Sequence, residues 1–392
     1  LAEQKVDRIF YPVVVYEKNE FDAAANAYNC PIVSSYADVV DSAIDPEKRF
    51  RIPLDRLPVN FNDPVLLKKT CIRYLKQFGV PDSISSRAVD AALAEHSRFK
   101  RQLVLKAGQI VQAAKMQNRL LIVLAGRPYH LDGLVNHKIP DILTSLGVDM
   151  ITEDCIPKGD RLLEDVHVVT QWSYPNRIYA AAKWVAEQPD TVQMVQLNSF
   201  GCGPDAVVID EVRDILKIRQ KNHTLVKVDD IAGTGSVRLR IRSMVESLMR
   251  PANKNSCRPA ARKTTPGFEK KDRARKIIAP FFAEDYSGYL PAVFQTAGYR
   301  FEILPPPDRS SVETGLRYAG NDICYPAVLV TGDIIKALQS GRYDPDRIAV
   351  GITQTGGQCR ASSYLSVIRK AMVAAGFDHV PVISVTSAQG LI

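Results

Sequence analysis

From Arg119 onward the chain alternates short β-branched runs with amphipathic stretches, and this rhythm predicts an α/β fold with parallel sheets covered by helices on both faces. Two further observations divide it. Residues 86–117 place Ala88, Ala91, Leu93, Phe99, Leu103, Val104, Ile110 and Val111 at helical spacing, which predicts one long connecting helix. Between Arg250 and Lys276 the sequence holds ten lysines and arginines against Glu269 and Asp272, which predicts a basic, solvated linker. The expected architecture is two or more Rossmann-like, doubly wound parallel-sheet domains joined by a long helix and a basic linker. Its parts are an N-terminal α/β segment with the connecting helix over 1–117, a Rossmann-like domain over 118–249, the linker over 250–275 and a second Rossmann-like domain over 276–392. A chain of 392 residues exceeds what one hydrophobic core usually supports, which agrees with this division.

In order, Arg8–Tyr16 and the short Pro31-Ile32-Val33 read as strands by their β-branched content. Helical spacing over 64–78 precedes the long helix. Strand Leu120–Leu124 runs into Gly126-Arg127-Pro128-Tyr129-His130, and a helix over 136–146 closes at Gly147. Strand 148–151, helix 176–187, strand 192–197, helix 205–218, strand 224–228 and helix 235–249 complete the first alternating set. The second runs through strand 276–280, helix 286–297, strand 299–304, helices 310–318 and 324–340, strand 348–352, helix 360–375 and strand 380–385. The chain starts without Met and ends just after an apolar strand, so it reads as a part excised from something longer.

Composition narrows the function. Hydrophobic residues at 46% and charged residues at 24% are those of an ordinary globular protein. No apolar run reaches membrane-spanning length and no signal peptide opens the chain, so a cytoplasmic protein with no membrane partner is expected. The net charge of +8 equals the surplus in the basic segment alone. Such a segment, rich in Pro, Asn and Thr, differs from the basic folded face of a nucleic-acid binder, so no nucleic-acid partner is expected.

Seven cysteines without export signals argue against a disulfide framework, and no C-x-x-C pair exists to make a zinc or ferredoxin motif. Four of them share one setting, a loop beside Gly or Pro at a strand end or helix start: Asn29-Cys30-Pro31, Gly201-Cys202-Gly203, Cys324-Tyr325-Pro326 and Gly357-Gln358-Cys359. In an open α/β sheet the crevice lies beyond the carboxyl ends of the strands, where thiolates from separate loops can meet on one metal centre. A [4Fe–4S] cluster held by Cys30, Cys202, Cys324 and Cys359 is the leading expectation; taken alone, Cys202 is as well explained as a buried structural cysteine in a tight turn. Cys155 stands as a spare ligand, while Cys71 and Cys257 read as bystanders.

Two loops suggest an anionic cofactor instead, such as a CoA ester or a nucleotide. Gly126, Arg127, His130 and His137 form a polar group at a strand's carboxyl end, suited to a phosphate or carboxylate. Gly356, Gly357 and Arg360 open a helix where backbone amides can cradle a phosphate. Structural roles for Arg127 and His130 explain the pattern equally well. The P-loop, the dinucleotide fingerprint, the nucleophile elbow and the zincin helix are all missing.

The strings Leu124–His130 with Asn136-His137, Trp172–Arg177, Gln196–Ala206, Asn321–Pro326 and Gln354–Arg360 resemble the acyl-CoA dehydratase activase-related region of large CoA-substrate-specific enzyme activases, also described as 2-hydroxyglutaryl-CoA dehydratase activators. More distantly the chain is similar to the cluster-bearing subunits of 2-hydroxyacyl-CoA dehydratases and benzoyl-CoA reductases. The resemblance implies an ATPase activator domain and a dehydratase-like or reductase-like domain as partners, on the same full-length chain or beside it, with a homodimer among the assemblies allowed. It implies the same four cysteines as cluster ligands. One departure is that relatives often place cysteine after Phe-Tyr-Pro, where this chain has Phe10-Tyr11-Pro12-Val13, and valine cannot ligate a metal. Three functions follow as expectations: an iron–sulfur electron-transfer component, a cluster-free CoA-ester or nucleotide-binding module, and a structural docking domain. No complete catalytic site is expected within the chain.

Overall fold

A computed structural model describes residues 6–199, 201–228, 234–249 and 262–386. They fall into two compact units: one drawn from Leu1–Val166, Thr170–Phe200 and Ile215–Cys257, the other from His167–Val169, Gly201–Asp214 and Arg258–Ile392.

The first unit opens with β1 (Ile9–Phe10) and β2 (Val13–Tyr16). Helix α1 (Pro31–Ile44) follows, so Pro31-Ile32-Val33 is a helical first turn rather than a strand. Its proline sits where a missing N–H costs nothing, and a three-residue apolar run carries no periodicity with which to tell strand from helix. Asp45 ends α1 in the left-handed conformation, and its carboxylate then caps α2 (Pro46–Phe50) by accepting from Lys48 N. Short strands β3 (Leu54–Asp55) and β4 (Pro58–Asn60) pair in parallel with β1 and β2 respectively. Asp63 caps α3 (Pro64–Lys76), and α4 (Asp82–Met116) is the expected long helix.

The main sheet of this unit uses β5 (Leu121–Ala125), β6 (Asp149–Thr152), β7 (Val192–Ser199) and β8 (His223–Val228), all parallel, in the order β6-β5-β7-β8. Its helices are α5 (Ile139–Ser145), α6 (Ser173–Ala186) and α8 (Thr234–Met249); α7 (Gly203–Ile218), which follows β7, falls in the second unit as far as Asp214. Leu121 through Ala125 are all fully buried, which is why β5 is an uninterrupted apolar run.

The second unit repeats the design. Strands β9 (Lys276–Ala279), β10 (Arg300–Ile303), β11 (Ile348–Gln354) and β12 (Val382–Thr386) are parallel, in the order β10-β9-β11-β12. The expected helix over 286–297 is two short ones, α9 (Glu284–Ser287) and α10 (Leu290–Thr296); α11 (Arg309–Ala319), α12 (Tyr325–Gln339) and α13 (Tyr364–Ala374) follow. Both sheets are doubly wound and parallel, as the alternation predicts. No helix among the described residues is long and apolar enough to cross a membrane.

Most residues of the described part of the basic segment are exposed, and a few of its side chains anchor it. Arg262 makes a two-pronged bond to the buried Glu211 carboxylate, 2.7 Å in each arm. Arg275 pairs with Asp272 and donates to the carbonyls of Pro345 and Ile348. Residues 250–261, Cys257 among them, lie outside the described residues.

Candidate functional site

The strand orders define where ligands can enter. In each sheet the first strand in sequence sits inside, flanked by the second and third, so the winding direction reverses between β5 and β7 and again between β9 and β11. At such a point the two following loops part and leave a crevice at the carboxyl edge.

At the β5–β7 crevice the chain leaves Ala125 through Gly126 and turns in a single 3-10 turn, Pro128–Leu131. Arg127 N donates to His130 Nδ1 at 2.9 Å, and His130 Nε2 lies 2.9 Å from Ser199 Oγ at the end of β7. A backbone amide can only donate, so Nδ1 is an acceptor and the ring hydrogen is on Nε2, given to Ser199. His130 is fully buried, and a Cβ at Gly126 would stand 2.7 Å from its Nδ1, so only glycine fits there. Arg127 and Asn136 are buried, while Asn198 turns a buried Oδ1 with no hydrogen-bond partner among the described residues. His137 and Lys138 form a left-handed turn into α5, in which Asn136 Oδ1 accepts from Lys138 N. Gly126, Arg127 and His130 thus do share one strand end; Ser199 and Asn198 join them from β7.

In the second unit, the cysteine loops show a common construction. Cys202, Cys324 and Cys359 each stand immediately before a helix: α7, α12 and the 3-10 turn Arg360–Ser363 that continues into α13. Val207 of α7 and Ile323, Ala327 and Val328 around the start of α12 form one buried cluster, with Cys324 and Tyr364 packed on it. Cys324 Sγ is 3.0 Å from the Tyr364 hydroxyl. Burial raises the Tyr364 phenol well above its ordinary range, and Cys324 and then Cys359 add to the rise. The Arg360 guanidinium rests on Gly203, where a Cβ would lie 2.7 Å from Cζ. The Cys359 loop is braced by Ser362, which bonds Thr355 Oγ1 and the Gly357 carbonyl, and by Gln354 Nε2 on the Ser362 carbonyl. Cys359 itself is exposed. No contact presses on Gly357, so steric need does not explain that glycine.

Cys30 belongs to the first unit, where it precedes α1; its place is a helix start, not a strand start. Cys155 is buried against Thr152 Oγ1, and burial pushes its thiol up. Cys71 lies inside α3 and Val13 is paired in β2. The thiol donors suit iron, yet among the described residues no group of three or more His, Cys, Asp or Glu side chains is arranged to hold a metal ion.

Two parallel doubly wound sheets, each with its strand order reversing at one point, define a two-unit α/β protein of the Rossmann-like class. Residues 1–156 match the family model described as the CoA enzyme activase uncharacterised domain (DUF2229). That span includes Cys30, Gly126, Arg127, His130 and His137, and the remainder of the chain lies beyond it. No curated protein and no solved structure matches the chain.

Proposed function

We propose that the chain serves a CoA-enzyme activation system as an iron–sulfur electron-transfer component, working with an ATPase activator domain and a dehydratase-like or reductase-like domain. The observation that carries this reading is the repeated placement of Cys30, Cys202, Cys324 and Cys359 in the residue just before a helix. A helix start presents unpaired N–H groups and partial positive charge, which favour a thiolate and the anionic cluster it would hold. Supporting it, the Cys324 and Cys359 loops share Tyr364, and Arg360 of the latter reaches the residue after Cys202. Anaerobic purification with cluster reconstitution tests the proposal. Bound iron and sulfide with a visible charge-transfer band are expected, reduced by Cys324→Ser and by Cys359→Ser; a colourless, iron-free protein overturns it.

A second reading rests on the β5–β7 crevice: a cluster-free module that binds a CoA ester or nucleotide. His130, Ser199 and Asn198 Oδ1, which has no hydrogen-bond partner among the described residues, supply fixed polar groups at a site of the right topology. Calorimetry with acyl-CoA and ADP separates the readings, because this one predicts binding that survives replacement of all four cysteines and falls with Ser199→Ala.

A further inference from the structure

Apart from both crevices, the first unit gathers three cations on one carboxylate. Glu20 receives Arg177 Nε of α6 at 2.6 Å, Lys100 Nζ of α4 at 2.8 Å, and Lys158 Nζ at 3.4 Å. Arg177 and Glu20 are nearly enclosed, whereas Lys158 stands on the exposed stretch Pro157–Asp160, which gives the group a mouth to solvent. The other acid facing these cations is Glu153, 2% exposed, whose Oε2 has no hydrogen-bond partner among the described residues. Burial, and next the neighbouring Asp154, push the Glu153 carboxyl up to about 8, which disfavours its charged form. Glu17, on the same loop, is engaged by Tyr174 and Asn29. Three cationic side chains therefore converge on one close carboxylate, with Arg177 also 5.1 Å over the Tyr174 ring and Lys158 5.7 Å over the Phe21 ring.

That imbalance is unfavourable for a purely structural ion cluster, since like charges held close in low dielectric repel strongly. A doubly charged ligand with several acceptor oxygens would satisfy it better than a carboxylate. Arginine's planar fork suits two phosphate oxygens, and the two lysines act as point charges on the rest. We infer that Lys100, Lys158 and Arg177 form a binding site for a phosphomonoester dianion, whose place the Glu20 carboxylate holds in this structure. The backbone around Glu20 is pinned, with Asn19 N on Asn62 Oδ1, Phe21 N on Asn19 Oδ1 and the Phe21 ring buried, so exchange would move the Glu20 side chain rather than its backbone.

The test is calorimetric titration of the whole chain at fixed ionic strength with inorganic phosphate, coenzyme A and dephospho-coenzyme A. Glu20→Gln removes the competing charge and is expected to tighten binding of a phosphomonoester probe at least tenfold. Lys158→Ala, on the exposed loop, is expected to weaken native binding at least fivefold, and to cancel the gain when combined with Glu20→Gln. Preference for coenzyme A over its dephospho form assigns the dianion to that cofactor, whereas binding of inorganic phosphate with no such preference assigns it to free phosphate. The inference is overturned if Glu20→Gln binds none of the probes more tightly than the native chain, or if Lys158→Ala leaves affinity unchanged. The second arm stands even where Glu20→Gln fails to fold.

Discussion

His130 is fixed in one tautomer by the amide three residues before it and delivers its ring N–H to Ser199, 69 residues further along. The near end of that pair was legible in the sequence, because Gly126 through His130 stand together after an apolar strand. The far end was not: Ser199 becomes a partner only once β5 and β7 pair. The same holds for Glu20 and Arg177, 157 residues apart, which no local pattern connects. Gly126→Ala would drive a methyl to within 2.7 Å of the His130 ring, and a buried ring in a close-packed setting yields little. The expected cost is about 1–3 kcal/mol in urea unfolding, with the native fold retained. Glu153 gives a pH prediction. Its folded-state pKa, near 8, lies above the ordinary 4.5, so its contribution is fully present below about 4.5 and is lost as pH rises through 8. Relative to Glu153→Gln, the native chain should therefore lose stability across that interval, by roughly 1.4 kcal/mol per pH unit and several kcal/mol at most. Melting curves of the two proteins from pH 5 to 9 check this, and parallel curves would refute it.

Helices and strands were largely readable because fully buried parallel strands are unbroken apolar runs and their helices are amphipathic. The exceptions have physical causes. Pro31-Ile32-Val33 is too short to show a period, and the strands at Leu54–Asp55 and Pro58–Asn60 are too short to stand out. The tight α11–α12 pairing was also invisible, since it depends on glycines meeting backbone across helices. A Cβ on Gly332 would collide with the Ser311 carbonyl, and one on Gly315 with that of Val328. Neither obstacle is a flexible side-chain tip, so the helices themselves must part. Gly332→Ala is expected to cost about 1–3 kcal/mol by overpacking, even though alanine is the better helix former. Gly357→Ala, with open space around it, should change stability by less than about 0.5 kcal/mol. Chemical denaturation of the two variants side by side reads the contrast, and an equal loss in both would contradict the backbone-contact argument.

Boundaries read along a sequence are contiguous, whereas the second unit draws in His167–Val169 and Gly201–Asp214 from well before its main run. These insertions carry its energetics. Val207 of α7 belongs to the buried cluster with Ile323, Ala327 and Val328. Glu211, 2% exposed, accepts both arms of Arg262 and the amide of His167. Removing one partner of a buried ion pair typically costs about 3–5 kcal/mol, because the other is left charged and desolvated. The polypeptide 258–392 expressed alone keeps all four strands β9 to β12 but loses Glu211, Val207 and the His167 segment together. Arg262 would then face solvent, and the apolar ends of α12 and α13 would lose their cover. That sum is comparable to the whole stability of a domain of this size. The isolated piece is therefore expected to show strand and helix signals in far-ultraviolet circular dichroism without a cooperative thermal transition. In the intact chain, Arg262→Ala should lower the unfolding midpoint of the second unit selectively, as read by hydrogen exchange in β11 against β5. Cooperative melting of the 258–392 piece at the intact chain's midpoint would mean that the early segments are passengers in the second unit rather than part of its core.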